Sequence, residues 1–408
     1  MRISSALYII GAVLETFASS IPVMSAGRLL SGLGAGSTVV VVPIYISELA
    51  PPDEKGVFGF FTQIFTNTGV LMTQTLGYFL SNNHQWRYIL GVGAILAALL
   101  FLGLMAVPES PAWTAAHKSP EKGIKVLQRI RGRDADITSE IKTWDVKLPA
   151  HSDSPHLEAA GLLETDVEDP RARSASRGSH KSTHSGRPKQ YGFLEVVRDP
   201  ATRPAIVAVV GVMFIQQFTG INSVMMYSVS VLSELFPSTS ALLTLLISVV
   251  NLVVTIGSAP LPDALGRKKS LMLSLTGLAL SCAGLGLSMA FSFPMGSAIS
   301  IIAFIASFAL GTGPIPFMLA SELVGTEAKG ATQSWALASN WIGTYVIAQF
   351  FPIVNETLNG WLGWSGSVYF GFSVVAVLGV GFVGRWVPET RGRSVEEVWG
   401  ERRGRRVD

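Results

Sequence analysis

Apolar stretches close to 20 residues long recur along nearly all of this chain, and that recurrence fixes the solvent it folds in. Twenty helical residues rise about 30 Å, the thickness of a bilayer's hydrocarbon core. Charged residues make up only 14% of the chain, against about 25% in soluble domains, and mean hydropathy is +0.42. The chain reads as an all-α polytopic membrane protein. Spans are expected at roughly 4–20, 23–47, 57–80, 86–107, 205–232, 240–262, 270–292, 297–321, 331–352 and 364–387. These ten helices group as four, a long polar gap, then six. That divides the chain into an incomplete N-terminal bundle (1–107), a cytoplasmic linker (108–203), a six-helix bundle (204–388) and a basic tail (389–408).

Orientation follows from the basic residues. Of the 31 Lys and Arg, all but Arg28 and Arg87 lie at the N-terminus, in the gaps 48–56, 108–203, 263–269 and 323–330, or after Gly384. The alternate loops 233–239, 293–296 and 353–363 contain none. Cytoplasmic loops carry the positive charge, so both termini and the linker are expected in the cytoplasm, with Ser179 and Arg402 inside and Asn359 outside. The net charge of +3 follows from this asymmetry and needs no nucleic-acid partner. Cys282 is the lone cysteine and lies within a span, so there is no disulfide framework. Met1-Arg2-Ile3 leads into the first of ten apolar segments, which makes that segment a signal-anchor rather than a cleaved signal peptide.

Within the linker, Pro120 to Arg131 sets Ile124, Val126, Leu127 and Ile130 roughly on one face against Lys122, Lys125 and Arg129, which predicts a short surface helix. From Pro149 to Gln190 the chain is rich in Ser, His, Arg, Asp and Pro and is expected to be disordered, because it cannot bury enough apolar surface to offset its ordering entropy. His180 and His184 stand at a metal-ligand spacing, and Arg171-Ala172-Arg173-Ser174-Ala175-Ser176 is a basic segment that phosphorylation would recharge. Each also reads as solvated linker. No metal and no cofactor is expected.

Chemistry enters with Gln216-Gln217-Phe218-Thr219-Gly220-Ile221-Asn222, inside an apolar run. Buried amides are costly in lipid unless they meet a partner or a wet cavity. The two glutamines project about 100° apart and Asn222 returns toward the same face, presenting neutral donors and acceptors suited to a polyhydroxyl compound. Gln63, Gln74, Asn251 and Asn340, with Trp341 beside it, are further polar or amphipathic groups inside spans. Hydrogen bonding between helices is the alternative for any one of them. Gly311, Gly313, Pro314 and Pro316 interrupt another span. Proline removes a backbone donor and frees carbonyls that need partners, as in the broken helices that line transporter cavities, although an ordinary proline kink has the same composition. Gly32, Gly34 and Gly36 are expected to let two helices approach closely.

Five segments together resemble the sugar porter family of the major facilitator superfamily. They are Gly27-Arg28 through Gly36 to Pro43-Ile44-Tyr45-Ile46-Ser47-Glu48-Leu49-Ala50-Pro51 and Lys55-Gly56; Pro108-Glu109-Ser110-Pro111; the Gln216–Asn222 helix; Asp263-Ala264-Leu265-Gly266-Arg267-Lys268; and Gly313-Pro314-Ile315-Pro316 with Glu322 and Pro388-Glu389-Thr390-Arg391-Gly392. The resemblance implies two helical bundles working by alternating access. It implies that Gln63, Gln216, Gln217, Asn222, Asn251 and Asn340 contact sugar, with Tyr227, Phe317 (where the family usually has Trp) and Trp341 also in the substrate site. It also implies a charge network that opens and closes at the cytoplasmic helix ends: Glu48, Lys55 and Glu109 in the first four helices, and Asp263, Arg267, Lys268, Glu322, Lys329 and Glu389 in the last six. Simple anchoring of helix ends is the other reading of those charges.

Matching the motifs in order makes the first helix here correspond to the family's third, so the family's first two helices have no counterpart, and proton coupling cannot be read. The implied function is transport of a hexose or related polyol, facilitated or proton-coupled, across a plasma or vacuolar membrane. The implied partners are a small neutral sugar, protons in a coupled mechanism, and the lipid bilayer. A non-transporting sugar sensor and an inactive shortened paralogue are the competing classes. Sensors of this fold commonly carry long cytoplasmic tails, whereas 16 residues follow Gly392. No enzyme is expected, since no nucleophile–base constellation lies in the spans and no glycine-rich run continues into the Lys-Ser/Thr of a phosphate loop.

Overall fold

The computed structural model describes residues 1–51, 55–80, 85–132, 135, 137–142, 191–226, 240–325, 327–393, 395 and 397–399. His180, His184, Ser174, Ser176, Ser179, Tyr227 and Arg402 lie outside the described residues, as does the segment expected to be disordered. The chain divides into two compact units. One comprises Met1–Ile44, Gly56–Leu102 and Gln190–Asp408, the other Tyr45–Lys55 and Gly103–Lys189.

The first unit holds the long helices: α1 (Arg2–Thr16), most of α2 (Ile21–Leu49), α3 (Lys55–Leu80) from Gly56 on, and most of α4 (Trp86–Ala106). The helices expected in the six-helix part follow the linker. A single α-turn, here numbered α8 (Glu195–Arg198), leads into α9 (Arg203–Phe218) and then α10 (Ser240–Ser258), α11 (Leu261–Leu265) and α12 (Arg267–Ala290). Next come α13 (Pro294–Ser307), a π-helical turn (Phe308–Thr312) and α14 (Ile315–Glu322), then α15 (Lys329–Leu362) and α16 (Ser367–Trp386). By length and composition, seven helices among the described residues can cross a membrane, and Leu242–Ser258 is a shorter apolar one. Part of the polar load of α3 is handled locally. Thr66, Thr68, Thr73 and Thr75 each donate to the carbonyl four residues back at 2.8–2.9 Å, which removes their exposed hydroxyl donors from the lipid balance.

Two boundaries differ from the sequence expectation. The span placed at 331–352 continues to Leu362, with Pro352 inside it. A single missing N–H is tolerated in a membrane helix where neighbouring groups compensate, and the helix stops only at Gly363, whose φ is +75°. The loop expected at 353–363 is therefore helical as far as Leu362, and Asn359 is tied to the next helix, its Oδ1 accepting from Ser367 N and Oγ at 3.3 and 2.8 Å. The run placed at 205–232 breaks at Gly220, where φ is +90°.

At the centre of the six-helix part, α12 buries Leu271, Leu275, Leu278, Cys282 and Leu285 to 1% exposure or less. The spacing of 4, 3, 4 and 3 lines these up on one stripe, which packs with Phe304 and Ile305 of α13 and with Tyr369 and Ala376 of α16 in one cluster. Lipid offers no hydrophobic drive for this association, so close fit supplies it. Of the three glycines expected to allow close approach, only Gly34 does so. A Cβ there would lie 2.6 Å from Ser4 O, whereas Gly32 and Gly36 have nothing within 4 Å. Gly11 and Gly27, which the spacing argument did not single out, complete the α1–α2 contact.

The second unit contains α5 (Pro111–His117), α6 (Pro120–Arg131) and α7 (Thr138–Lys142). Ser110 and Ser119 cap the first two, their hydroxyls accepting from Trp113 N and Lys122 N. The expected helix 120–131 forms and buries Ile124 and Leu127 with Ile137 and Ile141. Ile130 is not on that face; it is exposed, and Gly123 takes the buried place against Ala115. Arg131 ties the unit together, bidentate to Glu140 at 2.9 Å and donating to Leu49 O at 2.9 Å.

The chain re-enters the first unit through Tyr191, whose N–H donates to Glu327 O at 3.1 Å. Phe193 stacks on Trp335 at 4.4 Å, and Trp335 Nε1 donates to Phe193 O at 2.7 Å. Asp199 is held below the usual carboxylate range by the N–H of Ala201 and then by the Tyr191 hydroxyl, and that second bond pushes Tyr191 up.

Candidate functional site

The five sequence segments meet in pairs. Tyr45 Oη donates to Pro108 O at 2.6 Å, joining the first to the second within the smaller unit. The glutamine pair of α9 meets the broken helix. Pro316 has no N–H, so the carbonyl four residues back, Thr312 O, has no helical partner. Gln216 Nε2 fills that role, donating to Thr312 O at 2.6 Å and to Gly313 O at 3.2 Å. The π turn is fixed from its other side, where Ser274 Oγ accepts from Thr312 N at 2.9 Å and Ser258 Oγ donates to Ala309 O at 3.1 Å.

From Gln216 an amide chain runs across to α15. Gln216 Oε1 accepts from Asn340 Nδ2 at 2.7 Å and from Gln217 Nε2 at 3.2 Å. Gln217 Oε1 accepts from Asn222 Nδ2 at 2.5 Å, and Asn222 Nδ2 also donates to Thr344 Oγ1 at 3.2 Å. Gly343 makes this crossing close, since a Cβ there would lie 2.8 Å from Gln217 Cβ. Gln216 is thus saturated, with both donors and its oxygen used by protein. Among the described residues, Oδ1 of Asn222 and Oδ1 of Asn340 accept no hydrogen bond, and one N–H of Gln217 Nε2 is uncommitted. These are the atoms a ligand hydroxyl can use.

Asn251 does not join this chain. It belongs to a second cluster with Gln63 and with Asn67, a residue the sequence reading passed over. Gln63 Nε2 donates to Asn67 Oδ1 at 3.0 Å, and Asn67 Nδ2 donates to Asn251 Oδ1 at 3.2 Å and Thr255 Oγ1 at 2.7 Å. The signal was available, because Asn67 lies one helical turn after Gln63 on the same face. Phe317 is the one residue of 311–320 that is not buried. Trp341 is 55% exposed beside a buried Asn340, so it faces away from the amide chain.

The fourth and fifth segments form the charge cluster. Arg267, 8% exposed, donates from Nε and Nη2 to Glu322 at 3.1–3.3 Å, from Nη1 to Pro262 O at 3.2 Å, and pairs with Asp263 at 2.8 Å. Thr390 Oγ1 donates to the same Glu322. Glu389 caps the start of α12, accepting from the N–H groups of Arg267 and Lys268 at 2.8 and 3.2 Å, where the helix dipole favours an anion. Gly266 makes room for it, as φ is +94° and a Cβ would lie 2.4 Å from Glu389 Oε2. Lys268 Nζ donates to Gly384 O at 2.6 Å. Lys329 is half-buried at the start of α15. In the smaller unit Glu109 pairs with Lys118 at 2.6 Å on the surface, Glu48 is exposed, and the Lys55 side chain lies outside the described residues.

Sequence reasoning also passed over Glu15. It is 3% exposed in α1, accepts from Ser31 Oγ at 2.6 Å and pairs with Arg28 at 3.1 Å. Arg87 Nη1 reaches Thr16 O at 3.5 Å. The two basic residues that broke the charge asymmetry therefore both sit at the C-terminal end of α1, where carboxylate and helix dipole favour a cation.

The sequence matches the model of the family described as "Sugar (and other) transporter" over residues 1–399. A probable metabolite transport protein of Saccharomyces cerevisiae, YBR241C, is 30% identical over 400 residues, which cover 97% of this chain and 75% of that protein. Putative polyol transporter 2 of Arabidopsis thaliana is 28% identical over 408 residues, covering 95% of this chain and 74% of the relative. Among solved structures, a double-tryptophan variant of XylE, the xylose transporter from E. coli, superposes with a TM-score of 0.76 at 25% identity, covering 98% of this chain and 82% of that one. With its apolar helices, its paired motifs and these likenesses, the chain is an integral multi-pass membrane protein of the major facilitator fold and belongs to the sugar (and other) transporter family.

Proposed function

We propose that this protein carries a neutral monosaccharide or related polyol across its membrane by alternating access. The observation that supports this most is the chain Asn340–Gln216–Gln217–Asn222 inside spanning helices, uncharged throughout, with acceptors on Asn222 and Asn340 that no described residue uses. Neutral amides pair with hydroxyls, and the half-buried Phe317 ring offers a face for the C–H side of a sugar. The relatives include a putative polyol transporter and a xylose transporter, in keeping with a polyhydroxyl substrate. Protons are a second partner if transport is coupled.

Gln217→Ala and Asn222→Ala should each weaken binding of glucose-class sugars about threefold to tenfold, the loss expected for one neutral hydrogen bond. Isothermal titration or a scintillation proximity assay on purified protein would measure it. Unchanged affinity in both, and in Asn340→Ala, would remove the sugar assignment and leave helix packing as the role of the amides.

Both termini are placed in the cytoplasm by this reading, whether the membrane is plasma or vacuolar. Because Asn359 is tied down, the exposed Gly360 next to it is the better probe. In a plasma-membrane-directed form, Gly360→Cys should react with an impermeant maleimide applied outside intact cells and Ser179→Cys should not. The opposite pattern would invert the topology.

A further inference from the structure

We propose that Asn67 is a latch between the first four helices and the last six, and that its hydrogen bonds must break for the two sets to part. This rests on the alternating-access reading above and adds a residue to it. On α3, Phe60 and Asn67 are the buried positions among the described side chains, at 1% and 4% exposure, two turns apart on one stripe. That stripe faces the six-helix part. A Cβ on Gly59 would touch Met318 of α14 at 3.5 Å, and Asn67 reaches Asn251 and Thr255 of α10. Both donors of its amide cross to α10, while its oxygen stays with Gln63 on its own helix. Thr255 is fully buried and Asn251 is 4% exposed.

A polar contact of this kind differs from the apolar contacts around it. Apolar side chains slide past one another at little change in energy, whereas two amide donors leaving their acceptors in a low-dielectric interior lose both bonds until new partners arrive. The contact therefore favours one arrangement of the two helix sets and opposes intermediate ones, which is the property of a two-state element. Its release takes one donor away from Oδ1 of Asn251, while the Gln63 bond, which lies within α3, stays in place.

The test is a pulsed dipolar distance measurement between spin labels on α3 and α10 of the full-length protein in nanodiscs, without sugar. Asn67→Ala should change the ratio of the two distance populations about threefold to tenfold, and Thr255→Val, which removes one of the two bonds, should shift it the same way by less. In the double variant the two effects should fall short of their sum, because they remove a shared bond. Asn67→Asp keeps the acceptor for Gln63 but loses the donors, and should follow the alanine variant. Identical distance distributions in Asn67→Ala, Asn67→Asp and Thr255→Val would overturn the latch, as would strict additivity. If Asn67→Ala fails to fold, the Thr255→Val distribution decides. Because this readout needs no substrate, failure of the sugar assignment would leave these distances as they are, and failure of the latch would leave sugar affinity in Gln217→Ala as predicted.

Discussion

Gln216→Ala should destabilise the protein as well as abolish its ligand binding, and in this it should differ from its neighbour Gln217→Ala. Gln216 is 2% exposed and fills four hydrogen-bonding roles: two carbonyls of the broken helix and two amides of the chain. Truncation leaves Thr312 O buried with no helical donor, because Pro316 supplies none, and leaves Asn340 and Gln217 without their shared acceptor. Each orphaned buried group costs about 1–3 kcal/mol, so the variant should lose several degrees of thermal stability along with the binding site. Gln217→Ala removes one acceptor and one donor whose partners each keep a second bond, Asn222 to Thr344 and Gln216 to Asn340, and should stay within about 1 kcal/mol of the parent. Cys282, buried and free, is a built-in reporter: its reaction with a thiol-activated dye during heating tracks unfolding. Equal melting of the two variants would show that the carbonyls freed at the π turn find another donor.

The second large effect is expected at Arg267. Arg267→Leu should slow uptake by about tenfold or more while equilibrium sugar affinity stays within about threefold, because none of its partners belongs to the amide chain. The guanidinium bonds Glu322, Asp263 and Pro262 O together. Without it two carboxylates at 26% and 42% side-chain exposure lose their common cation. Partial exposure screens that loss, so the protein should still fold, with the larger effect on the opening and closing of helix ends proposed for this cluster. Glu322→Gln keeps an acceptor for Arg267 and Thr390 and should give a milder defect in the same direction. Normal initial rates of counterflow and uptake in Arg267→Leu would reduce this cluster to an anchor.

Much of this protein was legible from its residues. Apolar runs of helical length gave the spans, since lipid leaves a helix few ways to satisfy its backbone. The one-sided distribution of Lys and Arg gave the orientation proposed here. The motif segments pointed to residues that do meet: Gln216 with the broken helix, and Arg267 with Glu322 and Glu389. Local signals also carried the linker helix, where Ser119 and the Ile124–Leu127 spacing specify α6.

What the sequence could not supply was partnership across long separations. A lone amide in an apolar run looks the same whether it waits for ligand or satisfies a neighbour, so Gln216 and Gln217 were equivalent on paper. The packing of α9 against the π turn saturates one and leaves the other with a spare donor. Asn251 and Asn340 likewise read as one set, and the fold assigns them to separate clusters. Glu15 and Arg28 were an unremarked acid and an anomalous base until Gly27 and Gly11 let α1 and α2 approach. Periodicity determines which residues leave water, because burial depends on the face of a helix. Which buried polar group bonds which depends on the approach of helices up to 188 positions apart, as between Asn67 and Thr255, and only the tertiary structure sets that distance.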